Sequence, residues 1–165
     1  MNFLQVAKEI EQQGCDHYNS LADNEPTREL AGIFLFLAKE EIRHFQIFDA
    51  MEKEAALPQV EQTAVVAMAK KTFQALSAQF KAAGGSPANY DEVYEKALQF
   101  ENKSIEFYTK AIDEHRFTGE AEQQVLLDII RQETIHAKLI TALMEFLRHP
   151  GEWLENAEFF HSDDF

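Results

Sequence analysis

The chain states one pattern twice. Glu41-x-x-His44 sits in Leu37-Ala38-Lys39-Glu40-Glu41-Ile42-Arg43-His44, and Glu133-x-x-His136 in Ile129-Ile130-Arg131-Gln132-Glu133-Thr134-Ile135-His136. Inside an apolar pattern of helical period, that spacing puts a carboxylate and an imidazole on one helix face, a turn apart. Each pair also trails an earlier Glu and Tyr. Glu11 and Tyr18 are seven residues apart, as are Glu101 and Tyr108, and Asp16 or Glu106 precedes the aromatic pair in each copy. Glu41 follows Glu11 by 30 residues and Glu133 follows Glu101 by 32. Two copies of so long a unit describe two pseudo-symmetric helical hairpins, not a solenoid.

Chain geometry brings these side chains to one level. Glu11 and Glu41 lie 15 residues either side of Pro26, and Glu101 and Glu133 lie 16 either side of Phe117. At roughly 1.5 Å per residue each arm travels about 22–24 Å out and back, so the pairs return to the same height on antiparallel neighbours. Six groups thereby converge: Glu11, Glu41, His44, Glu101, Glu133 and His136. Glu40 also stands one turn from His44, but its counterpart is Gln132, which cannot serve as a carboxylate ligand; the repeat selects Glu41. Spacing does not assign either Glu11 or Glu101 to a particular His.

The rest of the chain reads as helix, with sparse Gly and Pro and little β-branched alternation. A first helix is expected from about Asn2 to Leu21, on the stripe Phe3, Val6, Ile10 and Tyr18. The turn at Asp23-Asn24-Glu25-Pro26 places Pro26 at the first position of a second helix, which ends near Ala55 before Pro58. Residues 62–83 form a crossover helix, because joining two parallel helices end to end requires a long connection. Gly84-Gly85-Ser86-Pro87 stops it. Tyr90-Asp91-Glu92 opens the next helix, the turn from His115 to Glu120 closes it, and the last runs from about Ala121 to Leu147. The expected fold is an all-α four-helix bundle over residues 1–149, with 150–165 a short tail packing on it.

Composition narrows the function. A net charge of −14 with scattered Lys and Arg argues against a nucleic-acid partner. No apolar run approaches the roughly 20 residues that span a bilayer, and the first residues lack a basic region followed by an apolar core. Cys15 is the single cysteine, so there is no disulfide framework and no CxxC motif. A cytoplasmic protein is the expectation. Four Glu and two His give two divalent ions charge neutrality with mixed O/N ligation, which suits Fe or Mn better than a closed Cys-rich zinc site. Without metal, four carboxylates at one level would repel and be desolvated.

With these residues in place, the sequence resembles the ferritin-like di-iron carboxylate proteins, most closely rubrerythrin-type di-iron domains lacking a rubredoxin module. The resemblance covers about residues 3–147. It implies two non-haem iron ions (or Mn, or a mixed pair), with Glu41 and Glu133 bridging, and Glu11 with His44 and Glu101 with His136 completing each ion's shell. It implies an oxidoreductase whose di-iron(II) centre is oxidised by O₂ or H₂O₂ and re-reduced by a separate electron donor. A ferroxidase or iron-storage protein is the alternative, and a metal-binding interaction module without turnover a further one. A homo-oligomer, most simply a dimer, is the expectation, whereas the storage alternative needs a hollow shell of many subunits.

The sequence departs from full rubrerythrins in two ways. One cysteine cannot build their rubredoxin-like module, and Ser104 stands where they carry an additional Glu. The remaining set is symmetric, closer to that of bacterioferritin. Tyr18 and Tyr108 lie about 20° from their Glu on the helical wheel and face inward, either as hydrogen-bond partners of ligand carboxylates or as core residues. Cys15 is expected to be an inert core thiol, and His17, His115, His149 and His161 to be surface or tail residues. Phe34, Phe36, Phe45 and Phe48 are expected to pack the core, with Phe36 and Phe45 the two that can instead face another subunit.

Overall fold

The computed structural model describes residues 2–83, 91–117 and 119–149. Five helices follow in order: α1 (Phe3–Asn24), α2 (Arg28–Glu52), α3 (Val65–Ala83), α4 (Asp91–Asp113) and α5 (Glu120–Arg148). There is no strand among the described residues. α1 and α2 pack as one hairpin and α4 and α5 as the other, while α3 lies against α2 and α5. This is the all-α bundle with a helical crossover that the repeat predicts.

Local chemistry sets the ends. A capping box opens α1: the Asn2 side chain accepts from Gln5 N–H, and the Gln5 side chain accepts from Asn2 N–H. α1 runs three residues beyond its expected end, to Asn24. Pro26 does not begin α2 as expected. It holds Glu25 in an extended conformation, Thr27 is the N-cap, and Arg28 is the first helical residue.

α2 stops three residues early because Glu54 turns left-handed, at φ 50°. Ala55 N–H then bonds Ala50 C=O, and Glu54 N–H bonds Met51 C=O. The same pair of bonds closes α4, from Arg116 to Ala111 and from His115 to Ile112, with His115 at φ 50°. Both are Schellman closures without the usual glycine. The crossover helix begins at Val65 instead of 62, leaving residues 53–64 as an irregular strap. The expected tail, with His161, and the opening Tyr90 lie outside the described residues.

The core is divided. One apolar cluster gathers Tyr18, Phe34, Leu37, Phe73, Tyr94, Leu143 and Phe146. A second, at the other end of the bundle, gathers Ala7, Phe48, Met51, Tyr108, Leu126 and Ile129. Phe34 and Phe48 are buried, whereas Phe36 and Phe45 are only half-buried. Between the clusters lies a layer of buried charge. No helix among the described residues is long and apolar enough to cross a membrane.

Candidate metal centre

That layer contains Glu11, Glu41, His44, Glu101, Glu133 and His136, each at most 1% exposed. α1 and α4 supply one Glu each, and α2 and α5 a Glu and a His each. Their ligand-type atoms form two groups of four, each within 4.8 Å of one another: Glu11, Glu41, His44 and Glu133, and Glu41, Glu101, Glu133 and His136. Glu41 and Glu133 belong to both. The grouping that spacing left open is therefore Glu11 with His44 and Glu101 with His136.

The carboxylates and imidazoles approach without saturating one another. His44 Nδ1 is 2.8 Å from one Glu133 oxygen and 3.4 Å from Glu11. His136 Nδ1 is 3.2 Å from Glu41, 3.4 Å from the other Glu133 oxygen and 3.7 Å from Glu101. Yet Glu11 Oε2, Glu41 Oε1, His44 Nδ1, Glu101 Oε2, both Glu133 oxygens and His136 Nδ1 are buried and make no hydrogen bond. Native interiors rarely leave such atoms unpaired. Seven in one layer, on all six residues and facing each other, are a donor set that could hold cations.

The outer atoms of four of these residues, by contrast, are engaged, and by the opposite hairpin. Tyr18 on α1 donates to Glu101 on α4, and Tyr108 on α4 donates to Glu11 on α1. His44 Nε2 meets Gln132 Oε1 at 2.6 Å, and His136 Nε2 meets Glu40 Oε2 at 2.9 Å. The Gln132 amide N–H donates to the Glu61 carbonyl, so its oxygen must face His44 and His44 Nε2 must donate. Thr63 Oγ1 donates to Glu40 Oε2 at 2.7 Å. Each imidazole is thus turned with Nδ1 inward and Nε2–H outward, the usual way a ligating His is oriented.

Glu40, Gln132, Glu61 and Thr63 are contributions the sequence reading missed. Glu40 and Gln132 occupy equivalent places in the repeat, directly before each shared Glu, and both can accept a hydrogen bond. That was the available signal. The strap residues carry none.

Electrostatics follow from the crowding. Burial, with the neighbouring Glu133 charge, raises the pKa values of Glu11, Glu41 and Glu101, the last to about 8. Burial would raise Glu133 as well, but the imidazoles on either side hold it well below the usual range. Burial opposes charge on His44 and His136, yet the surrounding carboxylates carry both well above the ordinary histidine value. Without metal, the layer holds itself together with protons.

Room for the shared Glu41 comes from Gly14, where a Cβ would lie 2.6 Å from Glu41 Oε2 and 2.9 Å from Phe100 Cε1. Its repeat counterpart, Ser104, is buried and donates to the Phe100 carbonyl at 3.2 Å. Cys15 is half-buried, its thiol pKa raised by burial. His115 and His149 are exposed. His17 is not at the surface as expected but half-buried, its ring centroid 6.5 Å from that of Phe100.

A four-Glu, two-His layer at mid-height of a four-helix bundle with a crossover defines a ferritin-like di-iron carboxylate protein. The sequence model of the rubrerythrin family matches residues 2–144, and the chain belongs to that family. No curated protein and no solved structure matches it.

Proposed function

We propose that the chain binds two non-haem iron ions and works as a rubrerythrin-like oxidoreductase in the cytoplasm, taking O₂ or H₂O₂ as oxidant. Glu41 and Glu133 would be the shared ligands, Glu11 with His44 and Glu101 with His136 the terminal ones. The observation carrying this reading is the set of seven buried, unpaired donor atoms in two groups that share two carboxylates. The hard-oxygen and imidazole donors also accommodate Mn; the family favours iron. Two ferrous ions held there supply one electron each, enough to reduce one H₂O₂ with two protons to two waters.

The chain's own residues prepare this chemistry. Gln132 and Glu40 fix the imidazoles with Nδ1 inward, and the Tyr18 and Tyr108 hydroxyls hold the terminal carboxylates through one oxygen each. The apolar clusters above and below exclude water and strengthen each interaction within the layer. These 165 residues hold one cysteine and so no Cys₄ iron site, and re-reduction calls on a donor outside them.

The symmetric ligand set, with Ser104 and not a seventh ligand carboxylate on α4, also supports a ferroxidase reading. Rapid mixing of the anaerobically loaded di-iron(II) protein with H₂O₂ and, separately, O₂ discriminates through near-UV absorption. Faster oxidation by peroxide is expected; faster oxidation by O₂, with a large hollow assembly on size exclusion in place of a dimer, selects the ferroxidase. Metal uptake without oxidation by either leaves only an interaction module.

A further inference from the structure

The pseudo-two-fold is broken beside the imidazoles. His136 hydrogen-bonds a carboxylate, Glu40, while His44 hydrogen-bonds an amide, Gln132. The surroundings differ in the same sense. Glu40 is 2% exposed and capped by the Thr63 hydroxyl. Gln132 lines both cavities that flank the strap, one of about 180 Å³ and one of about 490 Å³, and the smaller also touches His44. Neither of these two cavities is lined by Glu40 or His136.

We propose that the two metal positions are unequal: the one completed by Glu101 and His136 is tight and fills first, and the one completed by Glu11 and His44 is weaker and exchanges through the strap cavity. The inference rests on the di-metal reading above and deepens it. A carboxylate behind an imidazole makes a stronger hydrogen bond than an amide does, and raises the basicity of the metal-facing nitrogen. Glu40 also adds a fifth acidic side chain, on the His136 side only. Gln132 orients His44 equally well but adds no charge. The smaller cavity touches His44 itself, whereas the larger one stops at Thr63, which stands between it and Glu40, and neither reaches His136. Glu40 is therefore a positioning residue for one ion of the pair, and Thr63, on the crossover strap, positions Glu40.

The test is an anaerobic Co(II) titration of the metal-free full chain, followed by d–d absorption, with far-UV circular dichroism as the fold control. Two one-ion steps are expected, separated by at least about 10-fold in Kd. Glu101→Ala should remove the tighter step and Glu11→Ala the weaker. Glu40→Gln should weaken the tighter step by about 10–100-fold, the usual effect of losing such an outer partner, and Gln132→Glu should strengthen the weaker one. Thr63→Val leaves Glu40 in place without its support and should weaken the same tighter step by less, which keeps the proposal testable if Glu40→Gln misfolds. A single indistinguishable two-ion step overturns the inequality while leaving the di-metal reading intact. So does removal of the tighter step by Glu11→Ala, or equal weakening of both steps by Glu40→Gln. Binding of no cobalt at all overturns both.

Discussion

Gly14→Ala tests the site without touching a ligand. The new Cβ would stand 2.6 Å from Glu41 Oε2, where ordinary contact begins at 3.4 Å, so the carboxylate must retreat by about 0.8 Å or rotate. Phe100 Cε1, at 2.9 Å, must also yield, and its half-buried ring can swing outward. Metal–ligand lengths tolerate only about 0.2 Å. A displacement about four times larger, in a carboxylate common to both groups, should weaken both metal positions by about 10–100-fold, on the scale of other supporting-shell changes. The fold should survive. Overpacking costs roughly 1–3 kcal/mol, and replacing a mid-helix glycine by alanine returns roughly 0.5–1 kcal/mol. The assay is chelator-competed Fe(II) binding under anaerobic conditions beside far-UV circular dichroism. Ser104→Ala is the control, expected within about threefold of the parent because the Ser104 hydroxyl bonds only the Phe100 carbonyl. Parent-like affinity in Gly14→Ala would refute the argument that Glu41 is a shared ligand held in place by the missing side chain.

Metal-free protein should lose stability as pH rises from about 5.5 to 8. Glu11, Glu41, Glu101, His44 and His136 all have raised folded-state pKa values, Glu101 to about 8. They hold protons that the unfolded chain has released, and each such proton contributes about 1.4 kcal/mol per pH unit of decline. Of the six, Glu133 alone is lowered, so its contribution is present above the ordinary Glu range and is lost only on acidification. Bound divalent ions replace the protons and should flatten the profile; a melting temperature of the metal-free chain that is flat or rising with pH contradicts this. His115→Gly should raise the melting temperature by about 2 °C. It relieves a left-handed backbone worth about 1–2 kcal/mol, against roughly 0.4–1 kcal/mol of extra unfolded-chain entropy, at an exposed position. No rise in calorimetry would mean that φ of 50° is not strained there.

The six converging side chains were legible because the repeat fixes their heights, and helix rise is nearly constant. Which Glu joins which His was not, because that depends on which neighbours the α1–α2 and α4–α5 hairpins place side by side. Helix ends slipped where the signal was unconventional: Glu54 and His115 adopt a conformation usually marked by glycine, and Pro26 acts one residue before the cap. Glu40 shows a subtler limit. Comparing it with Gln132 set it aside as a ligand, and the same comparison hid its partner, since its hydrogen bond crosses to His136 on α5 and no spacing within α2 reports that. His17 has no matching partner in the repeat to signal its half-burial, and its ring lies beside Phe100 on α4.

The crossing bonds explain why the chain keeps a layer of buried charge between two apolar clusters. Tyr18 to Glu101, Tyr108 to Glu11, Gln132 to His44 and Glu40 to His136 all join one hairpin to the other. A slip of one hairpin against the other by a single turn, about 5.4 Å, would break all four and leave buried polar atoms unpaired. Apolar side chains repack after such a slip at modest cost; unpaired buried polar groups do not. The layer therefore fixes the register of the bundle, and the atoms it leaves unpaired are the inward ones, on all six residues. For Glu11, His44, Glu101 and His136 the same side chain serves both ends: its outer edge fixes the register, and its inner edge faces the group of donors that could hold a cation.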